Sequence, residues 1–259
     1  MFKITKPSII GMIHLPTLVG YPSYKGFDYV MAYALEELEA LEKGGIDAVL
    51  VENDNDQPHH ITVDPETIAC MTKIVEILVK KSKIPIGVEV MLNDPKASFA
   101  IAKFSGAQFI RTDYFVDRMS REEYGGEMTI FPEALQEYRK KIGAEDISLF
   151  ADIQVKYAAM LEENKSITTS ALQAVKAGAD AIIVTGILTG IEPDLRDVIK
   201  AKEAVGDFPV LAGSGFSTEN AQTILERADG AIVGSSLKTD ERIDEGKVRK
   251  LMQIIDSTH

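Results

Sequence analysis

The chain has 259 residues, 45% of them hydrophobic and 26% charged, a profile that excludes collagen, coiled coil and intrinsic disorder. That length is enough to bury a substantial core. With 28 basic and 40 acidic side chains the formal net charge is −12, so broad binding to nucleic acid or an anionic membrane surface, which needs a positive field, is not expected.

In chain order, the first segment carries two lysines and then an apolar stretch. Pro7, His14 and Pro16 interrupt it and no small-residue cleavage site follows, so a secretory leader is not expected. No apolar run approaches the roughly 20 residues of a membrane helix, and the default expectation is a cytoplasmic protein with no membrane insertion. Eight short aliphatic runs then recur: Ser8–Ile13, Ala48–Val51, Ile86–Val90, Phe109–Arg111, Ile147–Ala151, Ala181–Val184, Pro209–Ala212 and Ala231–Val233. Uninterrupted branched strands of this kind suit a parallel sheet covered by helices.

Each run is followed by a segment of helical spacing: Asp28–Lys43, Pro65–Lys81, Pro95–Ser105, Pro132–Ile142, Thr168–Ala177, Pro193–Val205, Thr218–Arg227 and Glu245–Ile255. Asp64-Pro65, Asp94-Pro95 and Ser217 read as helix starts. The lone cysteine, Cys70, falls within the second helix and reads as a small buried side chain; a disulfide framework and a cysteine-based zinc site are excluded. Gly44-Gly45-Ile46-Asp47 and Ala177-Gly178-Ala179-Asp180 repeat one helix-to-strand junction, in which glycine takes the left-handed conformation that ends a helix.

Eight strand–helix units in about 250 residues predict an α/β fold, a (β/α)8 TIM barrel, as one domain over residues 1–259. A doubly wound open sheet is the alternative. It prefers a glycine-rich turn after the first strand, where this chain has His14-Leu15-Pro16.

In such a barrel the active site lies at the C-terminal strand ends. The turns Gly213-Ser214-Gly215 and Gly234-Ser235-Ser236 follow strands 7 and 8, where backbone amides and hydroxyls can cradle a phosphate. Thr185-Gly186 and Thr189-Gly190 are candidates from strand 6, or simply a loop that needs glycine. Glu52 and Asp152, ending strands 2 and 5, are candidates for acid and base, or for ligands of a divalent cation such as magnesium. Arg111 is a candidate for a substrate anion or for a structural pair with Glu89. Lys156 suits phosphate neutralisation or, if desolvated, a Schiff base. His14 reads as an acid, a base or a core histidine. No His-x-His or His-Glu-x-x-His spacing supports a zinc enzyme. Residues 112–131 and 153–167 are long connections on the same face and candidate lids, with Tyr114, Phe115, Tyr124 and Phe131 closing over a ligand, meeting another subunit or packing locally.

The ordered set Gly11-Met12-Ile13-His14-Leu15-Pro16, Val51-Glu52-Asn53, Phe150-Ala151-Asp152-Ile153-Gln154-Val155-Lys156 and Gly213-Ser214-Gly215-Phe216-Ser217 resembles the BtpA/SgcQ family along nearly the whole chain. The resemblance implies a phosphate-binding TIM barrel. It associates relatives with photosystem I biogenesis and with sugar-uptake genes, and some with a nucleoside-triphosphatase label that no Gly-x-x-x-x-Gly-Lys-Ser/Thr loop supports here. Departures fall on the ligand-facing loops: Thr112-Asp113 in place of Val-Asn, Ser120-Arg121-Glu122-Glu123-Tyr124-Gly125-Gly126 in place of a Thr-Asp-Gln-Gly loop, Tyr157 in place of histidine, and Asp54–His60 after strand 2. The expectation is an enzyme of isomerase, epimerase or lyase type acting on a small phosphorylated metabolite, a sugar phosphate or nucleotide-like compound. A non-catalytic assembly factor and a phosphate-ligand sensor are the alternatives, and a homo-oligomer is compatible with all three.

Overall fold

A computed structural model describes residues 2–4, 7–186 and 190–257. Eight parallel strands close into a barrel. They are β1 (Ser8–His14), β2 (Ala48–Glu52), β3 (Ile86–Glu89), β4 (Phe109–Thr112), β5 (Ser148–Ile153), β6 (Ala181–Thr185), β7 (Val210–Gly213) and β8 (Gly230–Val233). Each pairs with the next, and β8 pairs with β1. The helices are α1 (Phe27–Gly44), α2 (Pro65–Lys81), α3 (Pro95–Ser105), α4 (Pro132–Lys141), α5 (Ile167–Lys176), α6 (Leu195–Val205), α7 (Ala221–Leu225) and α8 (Glu245–Asp256). None of the described helices is long and apolar enough to cross a membrane.

The two-residue period of a strand sorts its side chains into two cores. Ile9, Val49, Val51, Val88, Ile110 and Leu149 pack outward with the buried faces of the helices. Ile10, Met12, Leu50, Phe109, Phe150, Ile183, Leu211 and Ile232 form a separate cluster that fills the barrel interior. Phe109 and Phe150 stack at 5.0 Å, and Phe2 closes against them from below at 5.1 and 6.0 Å. Gly87 makes room for this: a Cβ there would lie 2.2 Å from the Phe109 ring. The same alternation, continued upward, turns His14, Glu52, Glu89, Arg111 and Asp152 inward at the mouth.

Two helix starts differ in their chemistry. Asp94 caps α3, its Oδ1 accepting from Ala97 N at 2.9 Å, whereas the Asp64 side chain makes no capping bond to α2. After β7 the expected helix from Thr218 begins only at Ala221. The Ser217 hydroxyl accepts from Glu219 N and the Asn220 side chain accepts from Ser217 N, which fixes residues 217–220 as a turn instead.

The two long connections form a lid. Met119–Arg121 pairs antiparallel with Gly126–Met128 of its own loop and with Ala159–Met160 of the next, making a three-stranded sheet over one side of the mouth. Its base is anchored by Asp117, which accepts from Gln154 N at 2.7 Å and from the Ser170 hydroxyl at 2.6 Å, and lies 2.9 Å from the buried Lys165 ammonium. Tyr114 is buried against Met119 and Met128 of this lid, Phe115 is buried in the core between strands and helices, Tyr124 faces the cavity, and Phe131 is exposed.

Candidate active site

A cavity of about 680 Å³ opens at the C-terminal mouth. His14, Glu52, Arg111, Lys156, Ser214, Gly215, Gly234, Ser235 and Ser236 line it, so nine of the twelve residues expected from the sequence meet in one place. Asp152, Gly186 and Gly213 do not line it. Thr189 lies outside the described residues. Glu89, Asp113 and Arg121 also face the cavity.

Asp152 stands behind Arg111. Its carboxylate takes the guanidinium bidentately, with Nε to Oδ2 at 2.6 Å and Nη2 to Oδ1 at 3.2 Å. Glu89 Oε2 is 3.3 Å from Nη1, and Asp113 Oδ1 is 4.0 Å from Nη2. All four side chains are buried. Burial opposes the charge on Arg111, but Asp152, Glu89 and Asp113 outweigh it and push its pKa well above the ordinary value. The single guanidinium cannot hold every neighbour ionised. Burial, reinforced by Asp54, raises Glu52 to about 8, and burial, opposed by Arg111 and reinforced by Glu52, raises Glu89 to about 8. Burial and the charge of Asp152 also push Asp113 well above the usual carboxyl range, and it shares a hydrogen bond with Asp152. The floor of the cavity is therefore the buried pair of Arg111 with Asp152, beside Glu52 and Glu89, whose carboxyls are both raised to about 8.

That arrangement bears on the magnesium expectation. Among the described residues no three His, Cys, Asp or Glu side chains are placed to hold one ion. The cation among these carboxyls is Arg111, which lies beside Asp152, Glu89 and Asp113.

His14 ends β1 beside Glu52. Its Nδ1 lies 3.1 Å from the Lys238 ammonium, which can only donate, so the ring proton resides on Nε2. Burial first, then Lys238, lowers its pKa to about 4, with Asp54 opposing. His14 is a neutral imidazole at physiological pH.

Close packing sets the glycines of the loops after β6 and β7, and a Cβ at Gly215, which also lines the cavity, would lie 2.1 Å from Glu192 N. A Cβ at Gly186 would lie 2.1 Å from the Ile191 carbonyl oxygen, and one at Gly213 would lie 2.7 Å from Ile183. Both glycines serve close packing. Two of the expected hydroxyl donors are engaged elsewhere: Ser214 Oγ accepts from Gly186 N and donates to Ile191 O, each at 3.0 Å, and Ser236 Oγ donates to Phe216 O at 2.6 Å. The amides are different. Among the described residues no hydrogen bond takes the backbone N–H of Gly215, Ser235 or Ser236. Ser214 and Gly215 both lie in the left-handed region, at φ 65° and 61°, which turns the chain at the cavity wall.

Glu89 was legible as an inward-facing polar group or a partner for Arg111, and Asp113 as a strand-end residue in the departing pair Thr112-Asp113. Arg121 was legible only as part of the departing Ser120–Gly126 loop, and Lys238 carries no local signal. Their places depend on where the lid sheet and the short hairpin after β8, Lys238–Thr239 paired with Arg242–Ile243, fold back.

A model of the BtpA family matches residues 5–257. The chain belongs to the BtpA family. Among its relatives, photosystem I biogenesis protein BtpA of Synechocystis is 34% identical over 93% of this chain and 84% of its own length. The sgc region protein SgcQ of Escherichia coli is 34% identical over 96% of this chain and 94% of its own. In fold, this BtpA-family barrel is similar to the thiamine phosphate pyrophosphorylase of Pyrococcus furiosus, with a TM-score of 0.63, 16% identity and 98% of each chain covered. It is also similar to (S)-3-O-geranylgeranylglyceryl phosphate synthase of Thermoplasma acidophilum solved with sn-glycerol-1-phosphate, with a TM-score of 0.62, 14% identity, and 98% of this chain and 94% of that one covered.

Proposed function

We propose that this BtpA-family chain is an enzyme that moves protons on a small phosphorylated metabolite, a sugar phosphate or nucleotide-like compound, in an isomerase, epimerase or lyase type of reaction. The observation that carries the reading is the pairing, in one cavity, of unengaged amides on the β7–β8 wall with a buried carboxylic acid on the floor. The Gly215, Ser235 and Ser236 amides bind the phosphate, and the Ser235 hydroxyl adds a donor. Glu52, with a pKa of about 8, is protonated in the resting site and suited to donate to a substrate oxygen or to return a proton to carbon. Arg111, fixed by Asp152, and Lys156 stabilise negative charge that develops on the substrate. Neutral His14 presents Nε2–H as a further donor. The fold neighbours are named for phosphorylated compounds, which favours the same substrate class. An assembly role, suggested by the name of the Synechocystis relative, gives no account of carboxylic acids held protonated inside a cavity.

The test is thermal or urea unfolding of the full chain with sugar phosphates and nucleotides at millimolar concentration. A ligand at 100 times its Kd stabilises by about 2.7 kcal/mol. Stabilisation by at least one phosphorylated compound, lost in Ser235→Asp/Ser236→Asp, is expected. No shift with any of them, or unchanged function in cells carrying Glu52→Gln and Asp152→Asn, would overturn the assignment.

A further inference from the structure

The lid contributes a cation to the cavity that the phosphate site does not use. Arg121, in the central lid strand, lines the cavity with a side chain 15% exposed. Its guanidinium carbon lies 4.7 Å from the Tyr124 ring centroid and 5.7 Å from that of Tyr157, and it shares a hydrogen bond with the buried Tyr114 hydroxyl. Glu123 takes one edge of the fork, with Nε to Oε1 at 2.8 Å and Nη2 to Oε1 at 2.7 Å. Glu123 is more than half exposed and does not line the cavity, so its attraction is screened by water and does not neutralise the side of Arg121 that faces inward. The Lys156 ammonium lies 5.7 Å from the same Tyr157 ring. Two cations thus flank one tyrosine at a single point on the rim.

Their position follows from the barrel. Arg121 and Lys156 come from the loops after β4 and β5. The free amides of Ser235 and Ser236 come from the loop after β8. In a closed ring of eight strands, β4 and β5 stand opposite β8 and β1. The mouth therefore has two electropositive poles facing each other across a floor of carboxylic acids and one internal ion pair. A ligand with a single phosphate satisfies one pole and leaves the other unused.

We infer that the substrate carries an anionic group at each end, either two phosphates or a phosphate and a carboxylate, and that Arg121 is the specificity-determining residue that reads the second anion. This rests on the reading of the β7–β8 wall as the phosphate site. Arg suits the task because its planar fork can give one edge to Glu123 and keep another for an oxyanion. The Tyr124 and Tyr157 rings lie close enough to hold the guanidinium at the rim.

The experiment is calorimetric titration of the full chain with inorganic phosphate, glycerol 3-phosphate, 3-phosphoglycerate and fructose 1,6-bisphosphate, on wild type, Arg121→Gln and Arg121→Lys. At least one of the two doubly anionic probes should bind wild type at least about tenfold more tightly than glycerol 3-phosphate. Arg121→Gln should remove that advantage while leaving inorganic phosphate and glycerol 3-phosphate within about twofold, and Arg121→Lys should restore part of it. If the monophosphates bind and Ser235→Asp abolishes them, but doubly anionic probes gain nothing or Arg121→Gln weakens all probes equally, the second-anion inference fails and the phosphate site stands. If no phosphorylated probe binds wild type, both fall together.

Discussion

Replacing Glu52 by glutamine should flatten the alkaline loss of stability. The side chain is 6% exposed and its pKa is raised from 4.5 to about 8, first by burial, then by Asp54, against the opposing effects of Arg111 and Lys156. In the unfolded chain Glu52 loses its proton near pH 4.5. In the folded chain it keeps that proton to about pH 8. Between these values the folded state binds more protons than the unfolded one, so the contribution of Glu52 is full below pH 4.5 and is lost as pH rises towards 8. A displacement of 3.5 pH units (8 − 4.5) corresponds to about 5 kcal/mol at most. Glu89 titrates in the same window and each carboxyl raises the other, so the two share part of that figure. Glutamine keeps the volume and cannot ionise. Urea unfolding at pH 5, 7 and 9 should show wild type losing several kcal/mol across the range and Glu52→Gln losing about half as much, on the order of 2 kcal/mol less. Equal losses in both proteins would show that Glu52 is ionised in the folded site at neutral pH, and would remove it as a proton donor.

Three further outcomes follow from the same geometry. By NMR, the His14 imidazole should not titrate between pH 5 and 8. Because its pKa is lowered to about 4, it contributes stability that rises from pH 4 to 6.5, and Lys238→Met should bring its titration up towards neutrality; a midpoint near 6.5 in wild type would refute the buried, Lys238-paired placement. Asp152→Asn should destabilise by about 3–5 kcal/mol, because Arg111 is left buried without its bidentate partner; urea unfolding within 1 kcal/mol of wild type would contradict that pairing. Gly87→Ala should cost about 1–3 kcal/mol through collision with Phe109, and Gly87→Ala/Phe109→Leu should recover part of the loss; no recovery would place the strain elsewhere.

The barrel strands were readable because each is a short branched run, and α2 and α3 because a proline opens each one and Ser82 or Gly106 follows it. The strand-end rule then collected most of the residues that line the cavity, since a two-residue period dictates which side chains face the mouth. What the sequence did not reveal depends on distant partners. Nothing local tells Arg111 to choose Asp152 over Glu89 as its bidentate partner; that choice is set by the register of β4 and β5. Nor does a serine in a glycine turn announce whether its hydroxyl is free, and Ser214 and Ser236 give theirs to carbonyls 23 and 20 residues away. The lid strands are two or three residues long, too short for periodicity to register, and their pairing joins segments about 40 residues apart.

That pairing constrains any attempt to re-engineer specificity. Because Met119–Arg121 is bonded on one edge to its own hairpin and on the other to Ala159–Met160, the two connections behave as one exchangeable cassette. A chimaera that imports only the first from a relative leaves the Ala159–Met160 edge without its partner, so an exchange has to take both together.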